Sequence, residues 1–415
     1  MRRRDAGVRI VMIDPQEVPG RGLAYGTPCR SHLLNVAAGG MSADPERAGH
    51  FLDWWRGVEG KGLGAGDFAP RMVFGGYVQA LFGEAGVEHV RDRAVGYRRE
   101  GGVGVVSLAG GGEVRAGDVV LATGNFTPCA LPGEGYRQAW DDAFYEAVRP
   151  EESVVLVGTG LTMVDVVLRL RDRGHRGRIS AVSRNGFLPE VHAPCEKADM
   201  CSVPLGTEPT ALAYVRAFRW ALGRHGDWRA AVDVLRPVEN ALWAALPVEE
   251  KARFRRHLQR RWDIVRHRIA PQVAEGLRGE AYRLKVVRGR VERTEREGDG
   301  FVVHVRVREG VEHVEAAHVV MCTGPDMDYR RVGSALLNGL IAEGVAGTGL
   351  FGAGLALRED GAVLDREGLV SEGLYALGPA RQGVLFESIA IPEIRRQAAD
   401  LAVILAAGEE EGSVG

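Results

Sequence analysis

An apolar run, Val8-Arg-Ile-Val-Met-Ile-Asp14, opens the chain and ends in an acid. In a nucleotide-binding βαβ unit, the acid that holds the ribose hydroxyls closes the second strand, about 20 residues beyond the glycine loop. Asp14 has thirteen residues before it, and they hold neither a glycine-rich loop nor a first strand. The chain therefore carries the ribose end of a dinucleotide site without the pyrophosphate end that normally precedes it.

A complete unit of the same kind lies further on. Val154–Val157 is an apolar strand, Gly158-Thr-Gly160 follows directly, 161–171 has helical periodicity, and 179–182 reads as the next strand. The first glycine permits the turn, and the second lets backbone amides approach a pyrophosphate at a helix N-terminus. Met163 stands at the third glycine position, where it predicts looser helix–strand packing. Gly158 and Gly160 are thus candidate dinucleotide ligands, against a plain glycine turn in an α/β fold. The second strand ends in Ser183-Arg184 rather than in an acid. An arginine there suits a 2′-phosphate, which favours NADPH over NADH; the alternative is a solvated surface arginine.

Two strand ends, 118–124 and 318–324, both run into Thr-Gly, a buried strand meeting a sharp turn. They suggest two related α/β domains, one inserted in the other. Residues 51–56 and 74–83 read as helices, 86–123 as short strands, 283–306 as strands, and the chain ends in a helix from about 392 to 407. Residues 208–278 are rich in Ala, Leu, Arg and Trp with no strand pattern, and read as an all-helical insertion. Within it Phe254, Leu258, Trp262, Val265 and Ile269 fall on one helical face. The expected organisation is 1–150 as the first part of an outer domain, 151–324 as the inserted domain and 325–415 as the return.

Composition excludes several function classes. A net charge of −2 points to neither nucleic acid nor membrane. No apolar run reaches the length of a membrane span, and Arg2 and Arg4 lead into Asp5 rather than a signal peptide's apolar core, so a cytoplasmic protein is expected. The basic run 251–268, with Arg253, Arg255, Arg256, Arg260, Arg261, Arg266 and Arg268, reads as one helix with a solvated face. Cys29, Cys129, Cys195, Cys201 and Cys322 are scattered, with no Cys-x-x-Cys. His192, Cys195 and Cys201 fit no zinc spacing and read as loop residues, so no metal is expected.

Thr162, in the first turn after the glycines, is a candidate phosphate ligand, and Asp165 a candidate dipole partner. His32 and His192 read more simply as structural histidines than as substrate contacts. No general acid, base or nucleophile stands out.

Several motifs together resemble the bacterial FAD/NAD(P)-binding protein family, distantly similar to the flavin-dependent N-hydroxylating monooxygenases. They are Gly20-Arg-Gly-Leu-Ala-Tyr-Gly-Thr-Pro28, His32-Leu-Leu-Asn-Val36, Met41-Ser-Ala43, Pro70-Arg71, Ala122-Thr-Gly-Asn125 and Gly158-Thr-Gly-Leu-Thr-Met-Val-Asp165. Ser183-Arg184, Leu188-Pro189 with His192, Arg261-Trp-Asp263 with His267-Arg268, Cys322-Thr-Gly-Pro325, Leu374-Tyr-Ala-Leu-Gly-Pro379 and Glu387-Ser-Ile-Ala-Ile-Pro-Glu-Ile394 continue the series.

The resemblance implies an α/β protein with two nested Rossmann-like domains, FAD in the outer one and NADP(H) or NAD(H) in the inserted one. It implies that Asp14 holds the FAD ribose, that His32, Asn35 and Met41 line the flavin, and that Thr123 and Gly124 pass near it. Gly378, Pro379 and the segment from Ile389 would close over the isoalloxazine. The implied activity is an FAD-dependent, NAD(P)H-using oxidoreductase, monooxygenase-like or reductase-like, acting on a small molecule. The family pattern begins with a strand and Gly-x-Gly-x-x-Gly, and residues 1–7 resemble only the tail of the helix that follows. About 25–30 residues of a βαβ unit are then missing. Losing a central strand exposes apolar neighbours and unpaired backbone, so a start codon assigned too late is the expected reason. The alternatives are a truncated protein and a non-catalytic NADP(H)-binding module.

Overall fold

The computed structural model describes residues 8–279 and 283–412. The expectation for residues 1–7 lies outside them. Packing divides the described chain into two compact units. The first takes Val36–Phe126 with the described parts of Met1–Pro28 and Asp326–Gly415; the second takes Cys29–Asn35 and the described part of Thr127–Pro325.

The second unit is built on a five-stranded parallel sheet, ordered Leu284–Arg288, Ile179–Ser183, Val154–Val157, His318–Met321, Tyr136–Gln138. Val154–Val157 lies near its centre and is buried at all four positions, which is why it reads as an unbroken apolar run. Helix Leu161–Asp172 follows it and buries Met163, Val166, Val167 and Leu170. An antiparallel layer, Arg290–Glu297, Gly300–Val307 and Gly310–Ala316, packs Phe301, Val303 and Val305 against Val155, Val157 and Met321. Residues 127–150, read from sequence as outer domain, contribute Tyr136–Gln138 to this unit's sheet edge.

Between Ile179–Ser183 and Leu284–Arg288 the described residues form six helices, from Ala211–His225 to Pro271–Gly279, around Val203, Leu235, Leu242, Phe218 and Trp262. The basic run is not one helix. It breaks at Leu258 (φ −117°, ψ −35°) into Val248–His257 and Gln259–Arg266. Its polar face is not wholly solvated either. Arg266 is buried on Glu239 (3.2 Å) and Arg268 on Asp233 (3.0 Å), because each carboxylate comes from another helix of the insertion.

In the first unit Val11–Ile13 pairs in parallel with Glu88–Val90. A second sheet, ordered Ala362–Leu364, Val370–Ala376, Val119–Leu121, joins the two strands that end in Leu377-Gly378 and Thr123-Gly124. The strand expected over 118–124 is shorter and only partly buried, with Val120 exposed. Ile13 packs on the core of Leu121, Tyr329, Leu337, Leu374 and Ala376. Helices His50–Glu59 and Arg71–Ala85 lock together through Phe51, Phe74 and Tyr77. The glycine-rich segment 19–26 contains a short helix, Gly22–Tyr25. No described helix is long and apolar enough to cross a membrane.

Candidate functional site

The Gly158-Thr-Gly160 loop of the second unit sits where parallel α/β sheets place ligands, at the carboxyl ends of the strands. Gly158 has φ +124°, and a methyl there would collide with the Cys322 carbonyl on the neighbouring strand's exit. Only glycine fits, for reasons of conformation and space together. Gly160 is the extended N-cap residue of helix Leu161–Asp172 and supplies no side-chain cap. The first intrahelical bond runs from Val164 N to Gly160 O (3.3 Å), so the amides of Leu161, Thr162 and Met163 have no helical acceptor. Those donors and the helix dipole favour an anion.

Thr159 fixes this loop. Its buried hydroxyl donates to Phe187 O (2.6 Å) and lies 2.8 Å from Ser183 Oγ. One hydroxyl has one proton, so Ser183 donates to Thr159 and accepts from the Gly186 amide (3.0 Å). Ser183 therefore ties the glycine loop to the turn after its strand, and its proton is already committed. Arg184, next in sequence, is exposed and makes no hydrogen bond or ion pair among the described residues. Arg288 stands in register with Ser183 at the end of the adjacent strand, also exposed and equally without a partner among the described residues.

A third arginine comes from the helical insertion. A methyl built on Gly160 would lie 3.9 Å from both Nη atoms of Arg260. Arg260 is half-buried and has no hydrogen-bond or ion-pair partner among the described residues. Arg261 lies over the Phe187 ring at 5.6 Å. Sequence reasoning missed Thr159, Arg260 and Arg288. Thr159 was in view as the middle of Gly-x-Gly, but Arg260 carries no local signal, standing a hundred residues beyond Gly160.

His32 and Asn35 belong to the second unit by packing. The His32 ring is buried, and its Nε2–H donates to Asp165 O in the loop helix (2.8 Å). Asn35 offers its carbonyl to His192 Nε2 (2.8 Å), and burial lowers the His192 pKa. Both histidines thus hold segment 29–35 within this unit. Cys29 donates to Asp172, and burial with that carboxylate pushes its thiol up to about 12. Burial also raises the Cys322 thiol. Neither carries a thiolate at neutral pH.

The remaining candidates lie in the first unit. Asp14 is half-buried at the end of its strand, and its Oδ1 accepts from Gln16 N (2.9 Å). No bond reaches its other carboxylate oxygen among the described residues, which suits a ribose hydroxyl. Met41 is buried, beside Ser42, whose carbonyl accepts from Arg395 (2.6 Å). Thr123 lies beside the buried Tyr329 phenol, which burial pushes up to about 12 against the effect of the threonine hydroxyl. Gly124 and Gly378 both have positive φ, +67° and +68°. Gln397 accepts from Gly378 N (2.9 Å) and donates to Ser388 O (3.2 Å), so one side chain pins two turns. Pro379 is buried and Ile389 partly exposed just before helix Ile391–Gly412.

Residues 1–126 match the FAD-NAD(P)-binding family. The match ends at the last residue of the first unit's continuous stretch, beyond Asp14, Met41, Thr123 and Gly124. No curated protein matches the chain. Among solved structures, it is similar to an ornithine N-hydroxylase from Kutzneria sp. 744, with 15% identity, a TM-score of 0.64, and 96% of this chain and 92% of that one covered. Ornithine hydroxylase from Pseudomonas aeruginosa gives 14%, 0.66, and coverage of 98% and 94%. A bacillithiol disulfide reductase from Staphylococcus aureus gives 10%, 0.56, and coverage of 97% and 92%. At these identities the likeness is one of fold. The chain shares the α/β fold of these two hydroxylases, with parallel sheets, over nearly its full length.

Proposed function

We propose that the chain is an NAD(P)H-oxidising flavoprotein, with NADP(H) bound in the second unit and FAD in the first. The observation that carries this reading is the Gly158-Thr-Gly160 loop with its uncapped helix, and beside it Arg184 and Arg288, which have no partner among the described residues. The amides of the first helical turn, with Thr162, bind the pyrophosphate. Arg184 and Arg288 take the 2′-phosphate through charge-assisted bonds, which selects NADPH. In the first unit Asp14 accepts from the FAD ribose, while Met41, Thr123, Gly124 and the 378–389 turns enclose the ring. Bound flavin and nicotinamide supply hydride transfer; the chain's own residues bind, orient and exclude water. The start of helix Ile391–Gly412 adds amides and a dipole suited to negative charge on a reduced ring.

The finer reading is oxygenation of an amine nitrogen, the chemistry named for the ornithine hydroxylases that share the fold. Reductase chemistry toward another small acceptor is the rival. The experiment is aerobic NADPH consumption by the FAD-supplemented protein, with and without small amines, with hydroxylamine product and hydrogen peroxide both measured. Amine-dependent hydroxylamine supports the oxygenase; amine-independent consumption with an added acceptor supports the reductase. Nucleotide binding without any oxidation would support a non-catalytic module instead.

A further inference from the structure

We infer that Arg260, carried into the second unit's glycine loop by the helical insertion, is a binding residue for the pyrophosphate of the nicotinamide nucleotide. This rests on the nucleotide reading of the Gly158-Thr-Gly160 loop and adds a residue from outside that βαβ unit.

The guanidinium approaches Gly160 from the side where a Cβ would project, with both Nη atoms 3.9 Å from that position. It is half-buried and has no acceptor among the described residues. A partly desolvated arginine with no anion nearby is unfavourable, and its fork of donors matches a phosphate. Gly160 is also the N-cap of the helix whose first-turn amides have no helical acceptor. Cationic and dipolar groups thus converge on one point, the common requirement for a doubly ionised pyrophosphate.

Arg260 is placed there by rigid structure. The chain breaks at Leu258, so helix Gln259–Arg266 starts in a new direction. That helix is anchored two residues on by Trp262 in the insertion core and six residues on by the buried Arg266–Glu239 pair. Arg261 stacks on Phe187, whose carbonyl holds Thr159 in the loop. Helix Gln259–Arg266 is thus held by Trp262, Arg266 and Arg261, while the guanidinium of Arg260 has no hydrogen-bond or ion-pair partner among the described residues.

The pyrophosphate is common to NAD+ and NADP+, whereas the 2′-phosphate is not, so the two arginine roles separate by ligand. The test is calorimetric titration of the full chain and of Arg260→Ala, Arg260→Lys and Arg184→Ala with NADP+ and NAD+. Arg260→Ala is expected to weaken both ligands by a similar factor, about ten- to hundredfold. Arg260→Lys is expected to recover part of that, and the wild-type salt dependence of binding to become shallower in Arg260→Ala. Arg184→Ala is expected to weaken NADP+ alone. Unchanged affinity of Arg260→Ala for both ligands, or loss confined to NADP+, would overturn the inference while leaving the loop's nucleotide role intact. Failure of the wild-type protein to bind either ligand would remove that role and this inference together. An unchanged melting temperature in Arg260→Ala separates lost binding from lost fold.

Discussion

Gly158 and the Cys322 carbonyl lie so close across two parallel strands that no side chain can stand at 158. The glycine pair therefore divides its work: Gly158 serves the fold, and Gly160 leaves space for a ligand.

Substitution separates these roles. Gly158→Ala meets both a left-handed φ and a backbone clash and is expected to cost about 3 kcal/mol or more in stability. Gly160→Ala, at φ −88° with its nearest neighbours 3.9 Å away, is expected to stay within about 1 kcal/mol of wild type. It should still weaken NADP+ binding, because its methyl faces the free amides and Arg260. Chemical denaturation with a parallel nucleotide titration checks both.

Acid should destabilise the second unit from near neutrality. Arg171 Nη1 lies 2.8 Å from His175 Nδ1, and a guanidinium only donates, so Nδ1 is the acceptor and Nε2–H bonds Glu152 O (2.8 Å). Burial lowers the His175 pKa, and the facing guanidinium adds to this. A depressed histidine contributes stability that is complete above its ordinary value near 6.5 and is lost as pH falls below it. For Glu152, burial acts upward, but bonds from the Arg149 amide, the His318 ring and the Arg149 guanidinium outweigh it and hold the carboxyl at about 2. Its contribution is lost as pH falls from about 4.5 toward 2. The melting temperature should therefore decline in two stages below neutrality, and His175→Gln should flatten the first while leaving the second.

The buried Arg266–Glu239 pair holds the insertion together. Removing one partner leaves an uncompensated buried charge, so Glu239→Gln or Arg266→Ala alone is expected to cost about 3–5 kcal/mol. Replacing both with apolar residues, as in Arg266→Met with Glu239→Leu, should recover most of that loss. Urea denaturation of the three variants gives the comparison.

Cofactor choice should rest on the exposed arginines after the second strand. Arg184→Ala is expected to weaken NADPH by about tenfold or more while changing NADH by less than about twofold. Arg288→Ala should give the same sign. Equal loss for both nucleotides would count against a 2′-phosphate role. Competition binding of the two nucleotides reads the ratio directly.

These predictions draw on parts of the fold that were unequally legible in the sequence. The strand Val154–Val157, its glycine loop and the helix after it are local patterns: an unbroken apolar run, a turn and a 3.6-residue period each show in a short window. Helix boundaries at His50–Glu59 and Arg71–Ala85 extend the expected spans by a few residues, as frayed ends do. The insertion was legible as helical but not in its internal pairing. Arg266 and Arg268 look like solvated charges until Glu239 and Asp233, 27 and 35 residues away, are brought against them. Local periodicity also suggested one continuous helix through Leu258, since the break keeps the apolar spacing. Of the site, Gly158, Gly160, Ser183 and Arg184 were readable because they lie within one βαβ unit. Arg260 was not, because its proximity to Gly160 exists only once the insertion has folded.

Hydride delivery from nicotinamide to flavin is tested most directly by rapid mixing of the FAD-reconstituted protein with NADPH in the absence of oxygen, following the oxidised flavin's absorbance. Bleaching within a single turnover is expected, faster with NADPH than with NADH and slowed in Arg184→Ala. A flavin that is bound but stays oxidised with either nucleotide would contradict it.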